Sequence, residues 1–186
     1  GVEAGIIQGM YLLKAAPAGE TPQVQLLGSG TILREVEAAA ELLAQDFQVR
    51  AEVWSVTSFN ELRREGLAVE RWNRLHPQQP AKTSFVQQCL QGHPGPLIAA
   101  TDYLRAYSEQ IRTFIPERDF TALGTDGFGR SDTRKQLRKF FEVDRYYIAA
   151  TALYRLAQTG IIPIDQAQQA LEKYGIDPEK SNPVEV

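Results

Sequence analysis

One cysteine, one methionine and two histidines are all that 186 residues hold of the side chains most used for covalent, redox and metal chemistry. A lone Cys89 excludes an intrachain disulfide, and with His76 and His93 it offers no zinc-ligand spacing. Cys89 therefore reads as a small core residue rather than a catalytic thiol. No apolar run is long enough to span a bilayer, and no basic-then-apolar leader opens the chain, so a cytoplasmic protein is the expectation. Charge of one sign is missing too. The 20 basic and 23 acidic residues leave a formal net charge of −3, which favours neither nucleic acid nor an anionic membrane. Internal repeats and low-complexity segments are absent. No Ser-His-Asp set, catalytic carboxylate pair or metal-ligand cluster stands out, and His76 and His93 each precede a proline at a turn. Either histidine would serve as a general acid or base only if another domain supplied the rest of a site.

What is present is alternation. Apolar strand-like runs at Met10 to Leu13, Val24 to Leu27, Val49 to Val56, Leu97 to Ala100 and Phe120 to Leu123 are separated by turn residues and helical patterns. From Ile32 the positions Leu33, Val36, Ala39, Ala40 and Leu43 recur at helical spacing. Ser58 with Glu61 forms a capping box for a helix that Gly66 is expected to interrupt, and Pro77 stops its second piece. A short helix holds Phe85 to Leu90. Asp102 is expected to cap a helix running from Leu104 to Phe114, and Ser131, Asp144 and Asp165 to cap the last three. Gly160 and Gly175 stand where left-handed residues close helices. This pattern predicts an α/β fold: three-layer α/β/α with a mostly parallel five-stranded sheet and the first strand antiparallel at an edge. Residues 1–186 are expected to form one domain, with 1–8 a linker remnant or short helix and 177–186 a weakly ordered tail.

Two glycine turns carry the candidate site residues. The first, Gly28-Ser29-Gly30, follows a strand and opens a helix as a dinucleotide fingerprint does, but Leu33 replaces the third glycine and no acidic residue ends the next strand. A tight strand-to-helix turn is the better account. The second turn spans Leu123 to Arg134, where Gly124, Gly127 and Gly129 lie between a strand and a helix start. It either holds an anion or a partner's carboxylate, or makes a tight connection at a sheet edge. Beyond it, Arg134, Lys135, Arg138 and Lys139 share one helical arc opposite Leu137 and Phe140, which is an amphipathic helix with a basic outer face. That face is either solvated or a docking surface for an acidic partner. The candidate anion or partner contacts are Ser29, Gly30, Asp126, Gly127, Arg130, Ser131, Arg134 and Arg138. Thr101-Asp102, at a strand end, sits where open α/β sheets often bind ligands.

The second turn, with Gly124, Asp126, Phe128, Gly129 and Ser131, resembles the closing Gly-x-Asp-x-Phe-Gly-x-Ser motif of the transketolase C-terminal domain. Its continuation through Leu137, Arg138, Phe141, Glu142, Val143 and Asp144 is similar to one branch, the homodimeric thiamin-diphosphate-dependent pyruvate dehydrogenases. Val56 to Phe59 with Glu61-Leu62, Glu70 to Asn73 with Leu75 to Pro77, and Thr101 to Tyr103 with Glu109 to Arg112 agree with that branch. The likeness runs from about Gly5 to Pro183. It implies a transketolase C-terminal-like domain of an oxidoreductase that decarboxylates pyruvate and acetylates lipoyl groups, using thiamin diphosphate and magnesium held by other domains. The chain has no Gly-Asp-Gly and no residue matching the family's activating glutamate, so the resemblance carries over no catalytic, cofactor or metal residue. It implies that this piece is inactive alone and binds no cofactor. The implied partners are the preceding domains, a second subunit of the homodimer and the dihydrolipoyl acyltransferase core of the multienzyme complex. A chain opening at Gly1 rather than methionine fits a fragment or processed piece. A small-anion or nucleotide-binding regulatory module, or a docking surface for the acyltransferase core, are the other readings.

Overall fold

The computed structural model describes residues 1–186. Five strands, β1 (Met10–Lys14), β2 (Gln23–Gly28), β3 (Arg50–Val56), β4 (Leu97–Ala100) and β5 (Phe120–Leu123), form one sheet in the order β1-β3-β2-β4-β5. β1 is the antiparallel edge strand, and every other pairing is parallel. The α-helices are α1 (Glu3–Gln8), α2 (Leu33–Phe47), α3 (Phe59–Leu75), α4 (Phe85–Leu90), α5 (Arg105–Glu109), α6 (Arg134–Phe140), α7 (Arg145–Gln158) and α8 (Ile164–Tyr174). The expected three-layer architecture is what forms.

Strand alternation sorts the core onto two faces. Ile98 and Ala100 of β4 point to one side with Val24, Leu26 and Val53, where α2, α7 and α8 cover them. Leu97 and Ala99 point to the other with Leu27 and Trp54, against Phe59, Leu62, Val86, Leu90 and Phe114. Both faces are apolar because both are covered, which is the usual condition of parallel strands. No helix is long and apolar enough to cross a membrane.

Several local expectations give way to tertiary geometry. α3 runs unbroken through Gly66, since that glycine serves packing: a Cβ there would lie 2.7 Å from the Phe114 ring. Ser58 caps α3 by accepting from the Glu61 amide at 3.1 Å, while the Glu61 carboxylate turns to Arg64 instead of completing the box. Asp102 caps nothing. Leu104 stands at the N-cap of α5, which is short and is followed by a separate 3-10 turn at Arg112–Phe114. Thr133, not Ser131, caps α6, and Asp165 lies inside the first turn of α8 behind Pro163. Asp144 caps α7 as expected, accepting from the amides of Tyr146 and Tyr147 at 3.0 Å each. After Ile176 the chain is tied back: Lys180 donates to the Phe140 carbonyl at 2.8 Å and to Glu142 at 2.9 Å, and Pro183 is buried.

Gly66→Ala should lower stability by about 1–2 kcal/mol, because forcing a methyl into Phe114 outweighs the helix-propensity gain of roughly 1 kcal/mol. A lower urea midpoint with an unchanged slope would show it, and a raised midpoint would contradict the packing account.

Candidate functional site

Strand order decides where a site can lie. From β2 the chain passes to β3 on one side, and from β3 it crosses back to β4 on the other. The carboxyl ends of β2 and β4 are therefore a topological switch point, where connecting segments part and leave a crevice. A cleft of about 590 Å³ opens there, lined by Thr31 after β2, Asp102 after β4, Thr125 after β5, and Arg130, Arg134 and Arg138 around α6.

Short side chains stitch its floor. Thr31 Oγ1 donates to Asp102 Oδ2 at 3.1 Å, and Thr125 Oγ1 donates to the Asp102 carbonyl at 2.7 Å. The Ser29 amide donates to the Ala100 carbonyl at 3.2 Å. Gly30, with φ +56°, leaves room for Asp102: a Cβ on it would stand 3.3 Å from Oδ1. Gly28 shows why the first glycine turn is tight, since a Cβ there would meet Leu33 and Val36 of α2 at 2.8 to 3.1 Å. Close strand-to-helix packing is thus supplied by the first glycine of the turn rather than the third.

The wall is set by one buried carboxylate. Glu35, on α2, is 6% exposed and holds Arg138 Nη1 at 2.7 Å, Arg145 Nε at 2.9 Å and the Arg145 amide at 3.1 Å. Burial alone would raise its carboxyl, but the bonds from Arg145 and the charges of both arginines outweigh that and hold it below the ordinary range. Arg138 also reaches the Thr31 carbonyl and hydroxyl at 3.4 and 3.3 Å. The basic helix is therefore not basic on its outer face alone, as its projection implied. Arg138 turns inward to Glu35, while Arg134, Lys135 and Lys139 stay exposed.

The eight candidate residues divide accordingly. Arg130, Arg134 and Arg138 line the cleft, and Gly30 shapes it. Asp126 faces away, paired with Arg105 through that residue's amide at 2.9 Å and its Nε. Gly127, at φ +92°, admits the returning tail, since a Cβ would lie 2.7 Å from the Pro183 carbonyl. Ser29 and Ser131 are not among the lining residues. Sequence reasoning missed Glu35, Thr31 and Thr125, whose partners lie far along the chain; Asp102 was singled out only for its strand-end position.

The other reactive side chains are engaged elsewhere. His93 Nδ1 lies 2.7 Å from Glu52 near the amino end of β4, where fully buried Gln25 links Glu52, the Pro94 carbonyl and Trp54. His76 stacks on Trp72 at 4.5 Å. Burial, helped by Glu65, pushes the Cys89 thiol up to about 11, so it is no thiolate.

The model for the transketolase-like C-terminal domain matches residues 9–144, from the end of α1 to the α7 cap. The chain belongs to that family. The pyruvate dehydrogenase E1 component of Pseudomonas aeruginosa is 60% identical over 185 residues, covering 100% of this chain and 21% of that protein. That of Cupriavidus necator is 53% identical over 187 residues, again covering 100% and 21%, and that of Escherichia coli K12 is 47% identical over 183 residues, covering 98% and 20%. The chain thus spans about one-fifth of the length of these relatives, corresponding to their C-terminal region. Among solved structures, Leishmania mexicana transketolase superposes with a TM-score of 0.53 at 19% identity, covering 83% of this chain and 19% of that one. An inactive β4 tetramer of a split-gene transketolase gives 0.52 at 14%, covering 80% and 42%. These two likenesses establish the fold.

The chain lacks the Gly-Asp-Gly that the family resemblance implies for holding thiamin diphosphate and magnesium, and no three His, Cys, Asp or Glu side chains gather into one cluster.

Glu35→Gln should cost about 2–4 kcal/mol at pH 7, since it leaves a well-shielded Arg138 and a half-exposed Arg145 without their counter-charge. The Glu35 carboxyl is lowered in the folded state, so its stabilisation is complete above its usual value of 4.5 and fades as pH falls through the lower folded value. Urea melts of the two proteins should therefore converge on acidification below about pH 4.5; a gap constant with pH would contradict the ion-pair assignment.

Proposed function

We propose that this chain is the non-catalytic C-terminal domain of a homodimeric pyruvate dehydrogenase component, a cytoplasmic oxidoreductase that uses thiamin diphosphate and magnesium bound by its other domains. Its role is to complete the dimer and brace those domains while they decarboxylate pyruvate and pass the acetyl group to lipoyl groups of the acyltransferase core. Family membership and the pyruvate dehydrogenase relatives support the assignment.

The observation that carries the bracing role is an apolar belt along the carboxyl edge of the sheet. Ile7 is 77% exposed, Tyr103 61% and Phe128 81%, with Ile6, Leu104 and Tyr107 beside them. These residues sit on α1, on α5 and on the loops after β4 and β5, at the carboxyl end of the sheet, where Thr57, just past β3, donates to the Ile6 carbonyl at 2.8 Å. Large apolar side chains gathered at one edge mark a contact surface. Phe128 belongs to the glycine turn that carries the family resemblance, which gives that turn a docking role in place of a catalytic one.

Grafted onto the Pseudomonas aeruginosa relative in place of its matching segment, this chain should support pyruvate dehydrogenase activity and a dimer by analytical ultracentrifugation. Tyr103→Ser with Phe128→Ser in the graft should weaken assembly, while the same changes in the isolated chain leave its melting temperature within a few degrees, both positions being exposed. A graft that folds but neither assembles nor turns over would overturn the assignment.

A further inference from the structure

The cleft at the switch point has chemistry of its own, apart from the exposed apolar side chains. We propose that it binds a small phosphate monoester carrying hydroxyl groups, with the phosphate between Arg130 and Arg134 and the hydroxyls toward Asp102.

Charge is the first argument. Of the three arginines lining the cleft, Arg138 is already neutralised by Glu35, but Arg130 and Arg134 have no carboxylate partner. The Arg130 guanidinium packs over the Phe140 ring at 5.2 Å, which holds it at the mouth without consuming its donors. Two guanidiniums whose in-plane N–H donors have no carboxylate partner are matched to the several oxygens of a phosphate.

Backbone donors are the second. From Asp126 to Asp132 no main-chain N–H donates to any protein acceptor, although this loop runs past the cleft and contributes Gly129, Arg130 and Asp132 to its lining. A run of unclaimed amides beside two free arginines adds neutral donors where an anion would sit.

The two carboxylates in the lining decide what kind of anion fits. Asp132 turns its Oδ1 to the Thr133 amide at 2.6 Å, at the outer rim. Asp102 lines the cleft at its β4 side, is itself exposed, and accepts from Thr31 through Oδ2 alone, leaving Oδ1 without a protein donor. A bare dianion seated beside Asp102 would be repelled, so the phosphate belongs beside the arginines, and the Asp102 side favours hydroxyl donors. A cavity of about 590 Å³ suits a phosphorylated sugar or mononucleotide rather than inorganic phosphate alone. This inference stands on the cleft and does not depend on the proposed function.

Amide chemical shifts of the 186-residue chain, followed at constant ionic strength, test it with four probes: glucose 6-phosphate, adenosine 5′-monophosphate, glucose and inorganic phosphate. At least one of the two monoesters should shift the amides of Thr31, Thr125, Gly129 and Arg130 saturably and bind at least about tenfold more tightly than inorganic phosphate, while glucose leaves them unmoved. Arg130→Gln with Arg134→Gln should weaken that binding at least about tenfold, with the amide pattern of the sheet unchanged. No saturable shift with either monoester would overturn the proposal. So would equal affinity for inorganic phosphate, or binding that survives the double substitution.

Discussion

Everything at the carboxyl edge hangs on a single carboxylate taken out of water. Glu35 is in the first turn of α2, and α2 rests on the sheet through Val36, Ala39 and Leu43. A buried ionised group is costly unless its charge and lone pairs are met. Glu35 meets that condition by drawing in Arg138 from α6 and both the side chain and the amide of Arg145 at the start of α7. Two segments more than a hundred residues further along the chain are thereby pinned to α2. Fixing α6 fixes the wall of the cleft, and fixing the start of α7 brings Ile148, Ala149, Ala152 and Leu153 onto the sheet face.

The two ends of the sheet are built differently. At the amino end Gln25, Glu52, His93 and Trp54 satisfy one another in the interior, and Arg118 binds three main-chain carbonyls around the turn before β4. These polar groups are spent internally. At the carboxyl end the loops are cross-linked through Thr31, Asp102 and Thr125 and through Asp126 to Arg105, while the amides from Asp126 to Asp132 and several large apolar side chains are left free. Recognition belongs where the backbone leaves its groups unclaimed, as it does in open α/β sheets generally.

Legibility in the sequence followed the range of the interactions. The strands, their parallel order of appearance and most helices could be read because period-two and period-3.6 apolar spacing are local properties. Asp144 was readable as a cap because its partners lie two and three residues away. Gly66 misled because a helix breaker and a packing contact look alike until Phe114, far along the chain, is placed against it. Arg138 misled because a helical projection shows which residues share an arc and not what lies opposite that arc. Glu35 gave no local signal at all, being one charged residue among many on an amphipathic helix. The motif from Gly124 to Ser131 was legible as a resemblance, yet its residues separate in space: Asp126 and Gly127 support the fold, Phe128 projects outward, and Arg130 turns to the cleft.

The proposed supporting role needs a rigid frame and a surface; the fold offers two packed faces and one end with exposed apolar and cationic groups. The Gly-Asp-Gly that the family resemblance ties to the diphosphate is missing from its sequence. The most direct test of that account is a calorimetric titration of the 186-residue chain with thiamin diphosphate in the presence of magnesium. The account predicts no saturable heat. Binding at one site per chain would contradict it and place a cofactor site within these residues.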